Sequence, residues 1–147
     1  MDDFQPLVSV SETIDASPSQ VWEIATRKTG VMFMGADVKT NWQEGHSIIF
    51  KGEWKGKAFE DKGEVETFDI EKKLAFTHFS PMSGKRDSPE NYNLVSIELR
   101  PNGSQTDVRL TQSIHEQADE PSRETVAEFK KNWEMMLAKL KEETERA

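Results

Sequence analysis

Cysteine is absent from the 147 residues. Its absence excludes a disulfide framework and a thiolate metal site, and it suits a reducing compartment. Long apolar runs are missing as well: none approaches the roughly 18–20 residues that a membrane-spanning helix needs. The opening Met1-Asp2-Asp3-Phe4-Gln5 is acidic and lacks the basic-then-apolar signature of a secretion signal. A cytoplasmic protein is the expectation. Basic charge is in deficit, with 19 Lys and Arg against 27 Asp and Glu and a formal net charge of −8. Nucleic-acid binders draw much of their affinity from phosphate contacts and carry a basic face. Here the basic residues, such as Lys51, Lys55, Lys57 and Lys62, are scattered among acids, so a nucleic-acid partner is not expected and the charge is read as solubility. Catalytic signatures are lacking too: there is no Gly-rich phosphate loop, no nucleophile elbow and no His-Glu-x-x-His. No cofactor or metal is expected.

What the chain has is an order of segments. At this length it suits one domain, residues 1–147, with a core that needs no staples. Residues 7–15 alternate, with Val8, Val10, Glu12 and Ile14 opposite Leu7, Ser9, Ser11 and Thr13, which favours a half-buried strand. Ser17-Pro18 then starts a helix, since Ser17 caps and proline fits a first turn. Val21, Ile24 and Ala25 share one face of it, and a second short helix is expected around residues 31–34. Residues 35–44 read as irregular, with Trp42 their one large apolar residue.

Strands are expected over 47–54, 57–68, 74–80, 92–101 and 105–115, with turns at Lys55-Gly56, residues 71–73 and Asn102-Gly103. Gly63 interrupts the second of these, where glycine marks a bulge or the close approach of another backbone. Residues 80–91 form the longest loop. Pro121-Ser122 precedes a long amphipathic helix with Val126, Phe129, Trp133, Met136, Leu137 and Leu140 on one face. A sheet built from the middle of the chain would have a bare apolar face, and this helix has the length and stripe to cover it. The fold class is therefore α+β, with a curved antiparallel sheet against a long C-terminal helix and a pocket between them.

Four stretches carry a family resemblance. Ile14-Asp15-Ala16-Ser17-Pro18-Ser19-Gln20-Val21-Trp22 resembles the opening of the START-like, or SRPBCC, superfamily. Gly63-Glu64-Val65-Glu66-Thr67-Phe68-Asp69 running on to Leu74-Ala75-Phe76-Thr77 is similar to a stretch of its branch of heat-shock-protein ATPase activator homologues. Asn102-Gly103-Ser104-Gln105-Thr106-Asp107-Val108-Arg109-Leu110-Thr111 and Asn132-Trp133-Glu134-Met135-Met136-Leu137-Ala138-Lys139-Leu140 match the hairpin and the terminal helix of the same branch. The resemblance covers about residues 8–141 and departs at Met34, where many members have tryptophan, and at Gly45-His46, where Gly-Gly is common. Nothing resembles the separate N-terminal chaperone-activating domain of eukaryotic members. The likeness implies a helix-grip fold and an apolar cavity that takes lipids or other hydrophobic small molecules.

Candidate ligand contacts follow from phase. Phe50 and Trp54 alternate on one strand, Phe59 begins the next, and Phe129, Trp133 and Met136 face them from the last helix. Most of these residues are also ordinary core candidates. Of the three histidines, His46 reads as exposed and His115 as a strand-end residue. His78 is in phase with Leu74 and Phe76 and is the one with a claim on a cavity, with Phe76 a candidate contact beside it. Tyr92 and Gln112 are candidate polar groups inside it, and Met32 and Met34, around Phe33, are candidates for a lid. Glu60, Asp61, Glu64 and Glu66 read as a solvated face. Three functions are weighed: binding of a hydrophobic small molecule or lipid, a protein-interaction module resembling chaperone ATPase activators, and an enzyme of the cyclase or hydrolase kind.

Overall fold

The computed structural model describes residues 3–33 and 35–147, and of Met32 the backbone only. In chain order the elements are β1 (Phe4–Ile14), α1 (Pro18–Arg27), α2 (Thr29–Met32), β2 (Asp37–Lys39), β3 (Ser47–Trp54), β4 (Lys57–Asp69), β5 (Lys73–His78), β6 (Asn93–Asn102), β7 (Gln105–His115) and α3 (Arg123–Arg146). The seven strands form one curved sheet in the order β1-β7-β6-β5-β4-β3-β2, every pair antiparallel. From β2 to β7, chain neighbours are sheet neighbours. The exception is β1, which lies on the far edge beside β7, so α1 and α2 carry the chain from one edge to the other. With α3 laid against the sheet, this is the helix-grip fold.

α1 starts where its cap dictates. Ser17 Oγ accepts from the Gln20 N–H at 3.2 Å, and Gln20 Oε1 accepts in return from the Ser17 N–H at 3.0 Å. The two bonds satisfy donors that a helix start otherwise leaves unpaired. Val21, Trp22, Ile24 and Ala25 are its buried residues. The second helix begins at Thr29, so Gly30 lies inside it and does not separate the two.

Residues 35–44 include a strand, β2, that the sequence reading took as irregular. It is an edge strand of three residues, too short for alternation to register. The β6–β7 turn falls on Gly103 and Ser104, one residue later than expected, because Asn102 still pairs with Gln105 and Gly103 takes the positive φ of 61°. Gly63 is a close approach: a Cβ there would lie 1.7 Å from the Thr77 carbonyl oxygen. Only glycine lets the β5 backbone come this close to β4.

Register lines the inner face up in rows. Val10, Leu110, Ile97 and Leu74 stand side by side on β1, β7, β6 and β5, each no more than 6% exposed. The next row, Val8, Gln112, Val95 and Phe76, is equally closed but brings in one polar residue. The row beyond it, Ile114, Asn93 and His78, is half-buried. The interior thus runs from a dry aliphatic end to a polar, open end.

Candidate functional site

At that open end the sheet and the first half of α3 enclose a cavity of about 830 Å³. Its floor comes from the inner positions of the strands: Phe50 and Trp54 of β3, Phe59 and Asp61 of β4, Phe76 and His78 of β5, Asn93 and Val95 of β6, and Gln112 and Ile114 of β7. Phe129, Asn132, Trp133 and Met136 form the roof. Part of the rim is residues 80–91, which contribute Ser80, Met82, Ser83, Lys85, Glu90 and Asn91. The segment from Ala118 to Pro121, just before α3, forms another part.

Of the candidate contacts, Phe50, Phe59, Phe76, His78, Gln112, Phe129, Trp133 and Met136 all border this space. Trp54 does so from the mouth, half-exposed, with the Lys55 ammonium 5.8 Å above its ring. Tyr92 does not belong to the lining. Its hydroxyl donates to Asp87 Oδ1 at 2.7 Å, and its ring stacks on Phe79 with centroids 5.1 Å apart. Asp87 is in turn paired with Lys62 of β4, and this contact latches the rim segment to the sheet. Met34 and the side chain of Met32 lie outside the described residues. Phe33 between them borders the cavity and is packed edge-on against Phe50 and Phe76, with centroids 5.3 and 5.6 Å away.

Asp61 corrects the reading of the β4 carboxylates as one solvated face. Strand parity sets Asp61 with Phe59, Gly63 and Val65, opposite to Glu60 and Glu64. Its side chain is 13% exposed, and Oδ2 accepts from His78 Nε2 at 2.8 Å. The other oxygen, Oδ1, is buried without a partner. Glu60 and Glu64 do face solvent. Glu66 stands at the irregularity between Val65 and Thr67, and its carboxyl is held above the ordinary range by burial first and by the charge of Glu64 second.

The His78 ring packs edge-on against Phe50, centroids 5.3 Å apart, so one side of the imidazole is apolar and the other is oriented by Asp61. Across the cavity Gln112, 5% exposed, accepts from the Trp133 indole N–H at 2.7 Å. The remaining histidines lie elsewhere. His46 is exposed and bonded to Asn41, while His115 packs against Phe4 and accepts from the Gln117 N–H. Among the described residues no three or more His, Asp or Glu side chains converge as a metal site. No described helix is long and apolar enough to cross a membrane.

Fold and cavity together define a START-like, SRPBCC-type domain with a chamber between sheet and terminal helix. The chain belongs to the family described as activator of Hsp90 ATPase homolog 1-like protein, whose model matches residues 15–145. The solution structure of ChR145 from Cytophaga hutchinsonii is similar, at 36% identity over 95% of this chain and 93% of that one, with a TM-score of 0.77. The Aha1 dimer from Colwellia psychrerythraea is similar in fold, at 21% identity over 94% and 95% of the two chains and a TM-score of 0.67. DynU16, from the dynemicin biosynthetic locus, shares the fold at 19% identity, over 97% of this chain and 47% of that one, with a TM-score of 0.71. No match was found among curated proteins.

Proposed function

We propose that this chain is a cytoplasmic, non-enzymatic binding protein that holds a hydrophobic small molecule or lipid between its sheet and α3. The observation that supports this reading is the cavity itself. Its volume of about 830 Å³ falls in the range of small-molecule sites, and its aromatic and methionine lining suits an apolar occupant. The ligand contacts in this reading are Phe50, Phe59, Phe76, Phe129, Trp133 and Met136, with Trp54 at the mouth and His78 and Gln112 as polar groups.

The test is titration with the neutral fluorophore N-phenyl-1-naphthylamine. Saturable enhancement at one equivalent is expected. Trp54→Ala should weaken binding by about threefold to tenfold, in line with losing a kcal/mol or so of apolar contact. Lys51→Ala, on the outer face, should leave binding unchanged. Unsaturable enhancement, or equal losses in the two variants, would remove the reading.

A second reading is a protein-interaction module of the chaperone-activator kind. Family membership and the half-exposed Trp54 and Met82 beside the mouth favour it. Capture of a chaperone ATPase domain, abolished by Trp54→Ala while the fluorophore fails to bind, would select it. The enzyme reading leans on the Asp61–His78 pair alone.

A further inference from the structure

Two polar pairs face the cavity, and each leaves a group of defined hydrogen-bonding character. An indole nitrogen only donates, so the Trp133 contact fixes the Gln112 carboxamide with its oxygen toward α3. The Gln112 Nε2 hydrogens then have no partner among the described residues. That end of the cavity presents a donor. At the other end Asp61 Oδ2 accepts from His78 Nε2–H, which leaves Nδ1 of a neutral imidazole as an acceptor, also unpartnered among the described residues. Asp61 Oδ1 is a second acceptor there, buried and without a donor. Unpaired buried acceptors are costly, and a ligand hydroxyl reaching the pair can supply a hydrogen bond. The two ends are therefore opposite in character.

Their spacing follows from register. His78 pairs with Asn93 and Asn93 with Ile114, while Gln112 precedes Ile114 by one inward position on β7. Two strand spacings and two residues of rise place the His78 and Gln112 backbones roughly 12 Å apart along the sheet. Between them the inner face is Val95 and Phe76.

We propose that the cavity selects an elongated apolar hydroxyketone. Its hydroxyl donates to the His78–Asp61 pair, its carbonyl accepts from Gln112 Nε2, and its apolar body lies on Phe76 and Val95 under Phe129. This rests on the reading of the cavity as a ligand site and adds the class of ligand and its direction.

The test is displacement of N-phenyl-1-naphthylamine by three rigid probes: 4-acetyl-4′-hydroxybiphenyl, its methoxy analogue without the donor, and 4-ethyl-4′-hydroxybiphenyl without the carbonyl. The hydroxyketone should displace the fluorophore at a concentration about tenfold lower than either analogue, as one hydrogen bond at each end implies. His78→Phe should erase the preference for hydroxyl over methoxy and keep that for acetyl over ethyl. Gln112→Glu, which still accepts from Trp133 but offers the cavity no donor, should do the reverse. If the fluorophore binds saturably and the three probes compete equally in the wild type, the hydroxyketone proposal is wrong and the apolar-ligand reading stands. The same follows if both variants weaken all three probes alike. If the fluorophore does not bind, both fall. The wild-type comparison needs no variant to fold.

Discussion

The two halves of α3 carry the same stripe and meet different surroundings. In the second half Leu137, Leu140 and Thr144 are buried, and Met136, also buried, marks the inner edge of the cavity roof. In the first half Val126, Phe129 and Trp133, at the same helical spacing, are only partly buried against the core. What lies beneath differs. The helix packs against β1, α1 and α2, and its last turns are pinned to the end of β1: Lys141 Nζ donates to the Thr13 carbonyl at 2.7 Å, and Glu145 accepts from the Asp15 N–H at 2.8 Å. Phe129 and Trp133 instead stand over the cavity, where one hydrogen bond, from Trp133 to Gln112, joins them to the sheet. One helix thus anchors the fold at one end and roofs a chamber at the other. A continuous apolar stripe means contact with something apolar, and it does not say whether that something is the protein.

The sharpest way to break this comparison is to remove one side chain from each half. Leu140 is fully buried, so Leu140→Ala takes away transfer free energy and leaves a void in a dry region. A loss of about 2–5 kcal/mol in stability is expected from urea unfolding, a large share of what a domain of this size has. In whatever fraction remains folded, affinity for N-phenyl-1-naphthylamine should be unchanged. A loss below 1 kcal/mol would mean that the second half is not the anchor.

Phe129→Ala is the complementary change. Phe129 already borders open space, so its removal enlarges an existing cavity and strips little close packing. Stability should fall by roughly 1 kcal/mol, while fluorophore binding weakens about tenfold. Stability loss as large as that of Leu140→Ala would place Phe129 in the core and erase the distinction between the halves.

Much of this was legible in the sequence. The order of elements apart from β2, the Ser17 cap and the inner parity of β3, β5, β6 and β7 all followed from period and turn chemistry. Asp61 was legible and missed: its parity with Phe59 and Val65 pointed inward, but its charge was weighed above its phase. The Asp61–His78 bond was not legible, because it depends on the register of β5 against β4, which shifts between Val65 and Thr67 in a way that no period encodes. Tyr92 faces away from the cavity because Asp87 and Phe79 hold it, and a loop of that length conceals which partner wins. The contrast between the halves of α3 was hidden for a simpler reason. Leu140 and Phe129 are equally apolar letters, and only what lies beneath each, close packing or open cavity, tells them apart.

The smallest effect belongs to the rim latch, and it sharpens the comparison by asking whether the roofed end is held by charge. The Asp87 carboxyl is held below its ordinary 3.8 by hydrogen bonds from Lys62 first and Tyr92 second. The same contact raises the Lys62 ammonium above its ordinary value. A carboxyl depressed in the folded state adds stability above its unfolded pKa and loses it as pH falls through the lower folded value. Both side chains are exposed, so the contribution is small and screened by salt. Asp87→Asn should therefore lower Tm slightly at pH 7, and the gap from wild type should close both below pH 3.8 and at about 1 M salt. Its larger signature should be kinetic: faster release of the fluorophore in stopped-flow dilution, since residues 80–91 border the cavity. A Tm gap that persists in acid and in salt would show that Asp87 acts by positioning Tyr92 against Phe79, through packing, as the anchored half of α3 does.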